Sequence, residues 1–256
     1  MPNTPPAQIL AENAHRPYPI STQPWVMAQT WRDLLFAHWA VAPEMLRSLI
    51  PPALTLDTWD GQAWVGIVPF HMSHIRPHGL PPTLMSRFIE LNVRTYVIHN
   101  GRPGVWFFSL DATSRLAVEG ARNFFHLPYF MAQMSVNKDA DGTVTYGSIR
   151  RDKRTGAGVF FGTYRPTSPV YLSTPDSLDA WLTERYCLYA QMGKSDLFRA
   201  EIHHAQWQLQ HAELDLETTN VARAHGILLE GAPLMLHYVE KIDVLTWYKK
   251  KVDSER

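Results

Sequence analysis

Residues 90–111 read E-L-N-V-R-T-Y-V-I-H-N-G-R-P-G-V-W-F-F-S-L-D. Asn100-Gly101 is the strongest short-range hairpin signal available to a sequence, because a type I′ loop needs positive φ at both central residues. Pairing outward from that loop sets Glu90 opposite Asp111, Asn92 opposite Ser109 and Arg94 opposite Phe107. The other face then holds Leu91 with Leu110, Val93 with Phe108 and Thr95 with Trp106. Side chains alternate with a period of two, so a slip of one residue would mix the two sets. In this register almost all the polar chemistry gathers on one face, which either meets water or lines a pocket. Glu90 and Asp111 would be directly opposed like charges, costing roughly 0.2–1 kcal/mol against a neutral pair. A shared proton, Arg94 folding back, or Arg122 from the following segment would relieve the conflict. Such a carboxylate pair is a place for a perturbed pKa.

Outward from the hairpin, Ser114–Phe125 reads as a helix and Leu127–Val136 as a returning strand. Asp141-Gly142 turns into strands near Thr143–Arg150 and Val159–Tyr164. Upstream, Ala42–Leu49 is a short helix with Pro43 in its first turn. Asp60-Gly61 marks a hairpin between Leu54–Trp59 and Gln62–His71, followed by the proline-rich loop H-I-R-P-H-G-L-P-P. Thr174-Pro175-Asp176 opens a helix expected to run to about Met192, with Leu178, Trp181, Leu182, Leu188 and Met192 on one face. Later strands are expected near Leu197–His204, His211–Glu217 and Lys241–Tyr248. The reading is an extended proline-rich arm over 1–24, one mostly antiparallel β domain over 25–248, and a charged tail over 249–256. The fold class is mainly β (α+β) with a few peripheral helices.

Composition narrows the function. Twenty-four basic and twenty-four acidic residues cancel, so no strong field for nucleic acid or an anionic membrane is expected. No apolar run is long enough for an ordinary membrane-spanning helix. A single cysteine, Cys187, excludes an intrachain disulfide and suits a reducing compartment; with no visible signal peptide, the expected location is cytoplasmic. Of the basic residues seventeen are Arg and seven Lys, and the first lysine is Lys138. The N-terminal half can therefore clamp anions by guanidinium forks but offers no amine nucleophile.

Other constellations are weak. His71, His74 and His78 match no metal-ligand spacing, and His203 and His204 point to opposite faces of a strand, so no metal is expected. His204 shares its face with Phe198, Ala200 and Ile202 and is either a hydrogen-bonded core histidine or a pocket residue. Gly193-Lys194-Ser195 is a turn rather than a nucleophile elbow, and Cys187 reads as a small packed hydrophobe. Phosphate-binding glycine loops are absent, and no cofactor is implied.

The segments L-L-F-A-H-W (34–39), E-L-N-V-R-T-Y-V (90–97), G-V-W-F-F-S-L-D-A (104–112), A-R-N-F-F-H-L-P-Y (121–129), E-R-Y-C-L-Y (184–189) and R-A-E-I-H-H (199–204) resemble the YqjF-like family, a domain of unknown function. That family in turn resembles, more distantly, the acetoacetate decarboxylase superfamily. The resemblance implies a closed or cone-shaped antiparallel β-structure around a small polar pocket. The superfamily motif runs G-R-E, two residues, G-x-P-K, with its lysine forming a Schiff base to a keto acid. Arg122 and Pro128 keep the motif's spacing, but Ala121, Asn123 and His126 replace its Gly, Glu and second Gly. Tyr129 stands where the lysine would be. Glu90 resembles the superfamily's upstream pocket glutamate. Classical acetoacetate decarboxylase chemistry is therefore not expected.

Two functions follow as expectations. The first is a small-molecule binding protein whose Arg94 and Arg122 hold an anionic group, with Glu90, Asn92, Ser109, Asp111, Tyr129 and His204 completing the pocket. The second is a lysine-independent enzyme acting on a small keto or hydroxy acid, with Glu90 as base and Tyr129 as proton donor or oxyanion partner. A structural or partner-binding β domain, free to form a homo-oligomer, is the third reading.

Overall fold

A computed structural model describes residues 3–80, 87–193 and 195–252. Pro81 and Pro82 of the proline-rich loop, Lys194 of the expected turn and residues 253–256 of the tail lie outside the described residues. The first strands are β1 (Met27–Val41), β2 (Thr55–Leu56), β3 (Ala63–Pro77), β4 (Phe88–His99) and β5 (Arg102–Ala112). Next come β6 (Tyr129–Lys138), β7 (Val144–Arg150), β8 (Val159–Pro166) and β9 (Cys187–Met192). The last are β10 (Asp196–His203), β11 (Gln210–Thr219), β12 (Met235–Thr246) and β13 (Lys250–Val252). Helices are α1 (Pro6–Ala11), α2 (Pro43–Arg47), α3 (Arg115–Phe125) and α4 (Leu178–Thr183). None of the described helices is long and apolar enough to cross a membrane.

Pairing runs β5-β6-β7-β8-β11-β12-β1-β3-β4, and β4 returns to β5, so the ladder closes on itself. Strands β9 and β10 form a second bridge between β5 and β12. The sheet is mostly antiparallel, as expected, with two short parallel pairings. One edge of β5 pairs in parallel with β9 at Val105–Trp106 and with β6 at Leu110–Ala112. The β6 contact follows from connectivity: α3 carries the chain back, so β6 leaves beside the end of β5 in the same direction.

The hairpin forms at Asn100-Gly101, whose φ values are 49° and 71°, and the expected register holds from His99↔Arg102 to Arg94↔Phe107. Beyond that the partners shift: Val93 pairs with Ser109, Leu91 with Asp111 and Glu90 with Ala112. Phe108 is the extra residue of a β-bulge, which reverses the facing of everything after it on β5. Ser109 and Asp111 therefore leave the face that carries Glu90, Asn92 and Arg94. The expected Glu90–Asp111 opposition does not occur.

Four other expectations change. The helix expected from Thr174 to about Met192 is only α4, capped by Ser177, whose hydroxyl accepts from the Ala180 N–H. The chain then straightens into β9, because Tyr186, Cys187 and Tyr189 are strand-prone and find open ladder partners on β5 and β10. Thr55–Leu56 pairs with β4 rather than β3, leaving only a Trp59↔Gln62 bridge at Asp60-Gly61. Within the arm expected to be extended, residues 6–11 are helical and Ile9 is buried with Ala28, Leu245 and Trp247. The start of the expected solvated tail pairs as β13 with β10.

Candidate functional site

Glu90, Asn92 and Arg94 project from one face of β4 into a cavity of about 490 Å³. Phe107 and Leu110 line it from β5; Phe36 and Phe70 come from β1 and β3, and Trp207 closes behind them. Phe107 and Leu110 lie on the same side only because the bulge stands between them. One flank is α3, whose Ser114 hydroxyl accepts from the Ala117 N–H and whose last turn ends on His126 at φ 58°. Leu116, Gly120, Ala121 and Phe124 turn one helical face toward the cavity, and Leu116 and Phe124 remain exposed. They form an apolar lip.

At one end, the Tyr129 hydroxyl donates to Glu90 Oε2 at 2.9 Å. The Glu90 carbonyl accepts from the Tyr146 hydroxyl at 2.7 Å, which fixes the backbone at that position. Glu90 is 2% exposed. Burial pushes its carboxyl up from 4.5 to about 8, against the opposing pull of hydrogen bonds from Tyr129 and Asn92. Near neutral pH Glu90 is mostly a carboxylic acid. Burial also holds the Tyr129 phenol well above its ordinary value, so Tyr129 stays a donor. Asn92 Oδ1 is buried without a hydrogen-bond partner.

At the other end, Arg94 Nη2 donates to the Leu182 carbonyl at 3.2 Å and, at 3.4 Å, to the Tyr96 hydroxyl. Its guanidinium lies 5.1 Å from the centre of the Phe36 ring. Arg94 is 8% exposed, its Nε–H has no acceptor, and it makes no ion pair among the described residues. Gly66, opposite Arg94 on β3, leaves it room: a Cβ there would sit 3.1 Å from the His38 ring and 3.5 Å from Arg94 Cγ.

The other expected site residues are elsewhere. Ser109 and Asp111 face away from the cavity and bind Arg150: Nε to Asp111 Oδ1 at 2.7 Å and Nη2 to the Ser109 hydroxyl at 2.9 Å. Arg150 and Asp111 side chains are fully buried. Even so, burial raises the Asp111 carboxyl to about 6, with Arg150 pulling the other way. Arg122 is drawn off by local structure, donating to the Tyr129 carbonyl at 2.9 Å and resting near the Phe130 ring. His204 is a core histidine just past β10, packed against Trp207 and Tyr186, with Nδ1 2.7 Å from the Ala205 carbonyl. Burial lowers its pKa to about 3, so it is neutral. No cluster of histidine, cysteine or acidic residues suited to a metal occurs among the described residues.

Two arginines were missed. Arg185 also lines the cavity; its Nη1 pairs with Asp57 at 2.6 Å and its Nη2 has no partner. Its signal was present: Arg185 continues the apolar stripe Leu178–Trp181–Leu182 at helical spacing, and a charge on such a face needs a reason. Arg150 falls on the buried alternation Val144–Tyr146–Ser148 of β7, the same signal in strand form.

A model of the uncharacterized conserved protein family DUF2071 matches residues 28–243. This chain belongs to the DUF2071 family. Its sequence is 48% identical over 228 residues to the uncharacterized protein YqjF of Bacillus subtilis (strain 168), covering 89% of this chain and 93% of that protein. The fold is that of acetoacetate decarboxylase-like proteins. The acetoacetate decarboxylase of Legionella pneumophila superposes with a TM-score of 0.59 at 15% identity, covering 99% of this chain and 98% of the other. An acetoacetate decarboxylase-like enzyme from Sphingomonas wittichii RW1 gives 0.62 at 12%, covering 90% and 94%. The enduracididine biosynthesis enzyme MppR, complexed with pyruvate, gives 0.59 at 12%, covering 93% and 94%. At such identities the likeness shows the fold alone. In this DUF2071 chain no lysine lines the cavity among the described residues, and Tyr129 is committed to Glu90.

Proposed function

We propose that this DUF2071 chain binds a small organic acid non-covalently in the cavity between β4, β5 and α3. The observation that carries the reading is Arg94: a buried guanidinium with no carboxylate partner among the described residues, lining an otherwise mostly apolar cavity. Burying an unpaired charge costs several kcal/mol, on the order of 3–5 when a partner is removed from a buried pair. Glu90 does not offset it, because that carboxyl is mostly neutral near pH 7. An anionic ligand supplies the missing charge and accepts the unused Nε–H. With Tyr129 at the position of the superfamily's lysine, no imine forms.

A second reading is favoured by Glu90 itself. A buried carboxyl near pKa 8 beside a phenol is a general acid at neutral pH, as a lysine-independent enzyme acting on a keto or hydroxy acid requires. Calorimetric titration with a panel of carboxylic acids and their neutral alcohols tests the binding reading. Acids are expected to bind and alcohols not, and Arg94→Met should lose about tenfold to a hundredfold, as for a hydrogen bond to a charged group worth roughly 1.5–3 kcal/mol. Equal binding to Arg94→Met would refute it. Product analysis of the same mixtures separates binder from enzyme. Borohydride treatment with a keto acid should leave no adduct, and an adduct on any lysine would overturn the non-covalent chemistry. Absence of all binding would leave a structural or partner-binding β domain.

A further inference from the structure

The two polar ends of the cavity are too far apart for one small keto acid. Glu90 and Arg94 are four residues apart on the same face of β4, about 13 Å at the rise of a strand. Their side chains do not close that gap. The Arg94 guanidinium leans onward to the Tyr96 hydroxyl and the Leu182 carbonyl, away from Glu90. Glu90 is held at its own end by Tyr129.

The arginine end is double. Tyr96 carries Arg94 at 5.6 Å and Arg185 at 4.9 Å from its ring centre. Both arginines line the cavity, and each keeps one buried N–H donor without an acceptor, Arg94 Nε and Arg185 Nη2. Only Asp57 pairs with either of them among the described residues, so the end as a whole lacks one negative charge. Asn92 Oδ1 is the unused acceptor on the Glu90 side. The wall between the ends is apolar: Phe36, Phe70, Phe107, Leu110 and Val68. The cavity volume of about 490 Å³ falls in the range of pockets that enclose drug-sized ligands.

We infer that the ligand is an elongated amphipathic monocarboxylic acid, its head between Arg94 and Arg185, its apolar body along the Phe36–Phe107 wall, and a neutral hydroxyl at Glu90, Tyr129 and Asn92. This inference rests on the anion-binding reading and adds length and polarity to it. The exposed apolar lip of Leu116 and Phe124 suits the passage of such a chain.

Titration at pH 7 with four probes decides it: 10-hydroxydecanoate, 3-hydroxybutanoate, acetoacetate and 1,10-decanediol. The ten-carbon hydroxy acid is expected to bind at least tenfold more tightly than either short acid and than the diol. Arg185→Lys, which keeps the charge but loses the planar fork, is expected to weaken the long acid about tenfold. If a short acid binds as tightly as the long one, the elongated ligand is refuted while the anion site stands. If the diol equals the hydroxy acid, the head assignment is refuted. Unchanged affinity in Arg185→Lys removes that residue from the head site. If neither long nor short acids bind, the anion-binding reading itself falls.

Discussion

Replacing Glu90 with Gln converts the buried carboxyl into a permanent analogue of its protonated form. The Gln carbonyl still accepts from the Tyr129 hydroxyl, and its amide N–H meets Asn92 Oδ1 once the Asn92 amide, which donates to Glu90 in the native protein, turns over. In the native protein Glu90 titrates near 8 when folded and near 4.5 when unfolded. The folded state thus holds the proton that the unfolded state gives up, and stability from this group is full below pH 4.5 and falls as pH rises toward 8. Between pH 5 and pH 8 the loss integrates to about 3–4 kcal/mol, as an order of magnitude. Asp111, also raised, drives stability the same way at lower pH, from 3.8 to about 6. His203, His204 and His225, lowered to about 4, 3 and 4, drive it oppositely up to about 6.5. The informative quantity is therefore the difference between Glu90→Gln and wild type, in which those contributions cancel. Urea unfolding of both proteins at half-unit steps from pH 5 to 8.5 measures it. The variant should gain on wild type by about 3–4 kcal/mol across that window. A difference that stays flat with pH would refute the buried, neutral Glu90 on which the site's chemistry rests.

Tyr129→Phe removes a hydrogen bond that favours the ionised carboxylate, so the midpoint of that same pH difference should move upward, with about 1 kcal/mol of stability lost. Arg150→Met should cost about 3–5 kcal/mol in denaturant titration by stranding Asp111, while Arg150→Met with Asp111→Asn should recover much of it. Gly104→Ala places a Cβ 2.7 Å from Cys187 Sγ and 2.8 Å from the Cys187 carbonyl oxygen. Because backbone cannot yield easily, thermal unfolding should show a loss of roughly 1–3 kcal/mol.

Where the chain's local chemistry was self-sufficient, the sequence was legible. Asn100-Gly101 dictated its turn, Ser114 capped α3, and Asp141-Gly142 joined β6 to β7, all from residues within a few positions of one another. Glu90, Asn92 and Arg94 were placed correctly on one face because alternation within β4 is unbroken. Errors arose where a distant partner decided the outcome. Helical spacing continued past Thr183, but ladder partners on β5 and β10 claimed residues 187–192 as strand. Arg122 had the right spacing for the superfamily motif, yet the Tyr129 carbonyl was nearer than the cavity. Ser109 and Asp111 were misplaced by one unpaired residue, Phe108, which no local composition announces.

That residue works as a phase shift in the chain. Before it, odd positions of β5 belong to the cavity; after it, even positions do. The hairpin thereby sends two carboxyls from one run of sequence to opposite faces, a Glu90 without an ion pair among the described residues on one side and a salt-linked Asp111 on the other. Were Phe108 paired in a regular ladder, Asp111 would fall opposite Glu90 and Arg150 would have nothing to hold. A single extra residue has sent the two carboxylates to opposite faces of the sheet, so that one stays protonated near neutral pH while the other serves as a counterion.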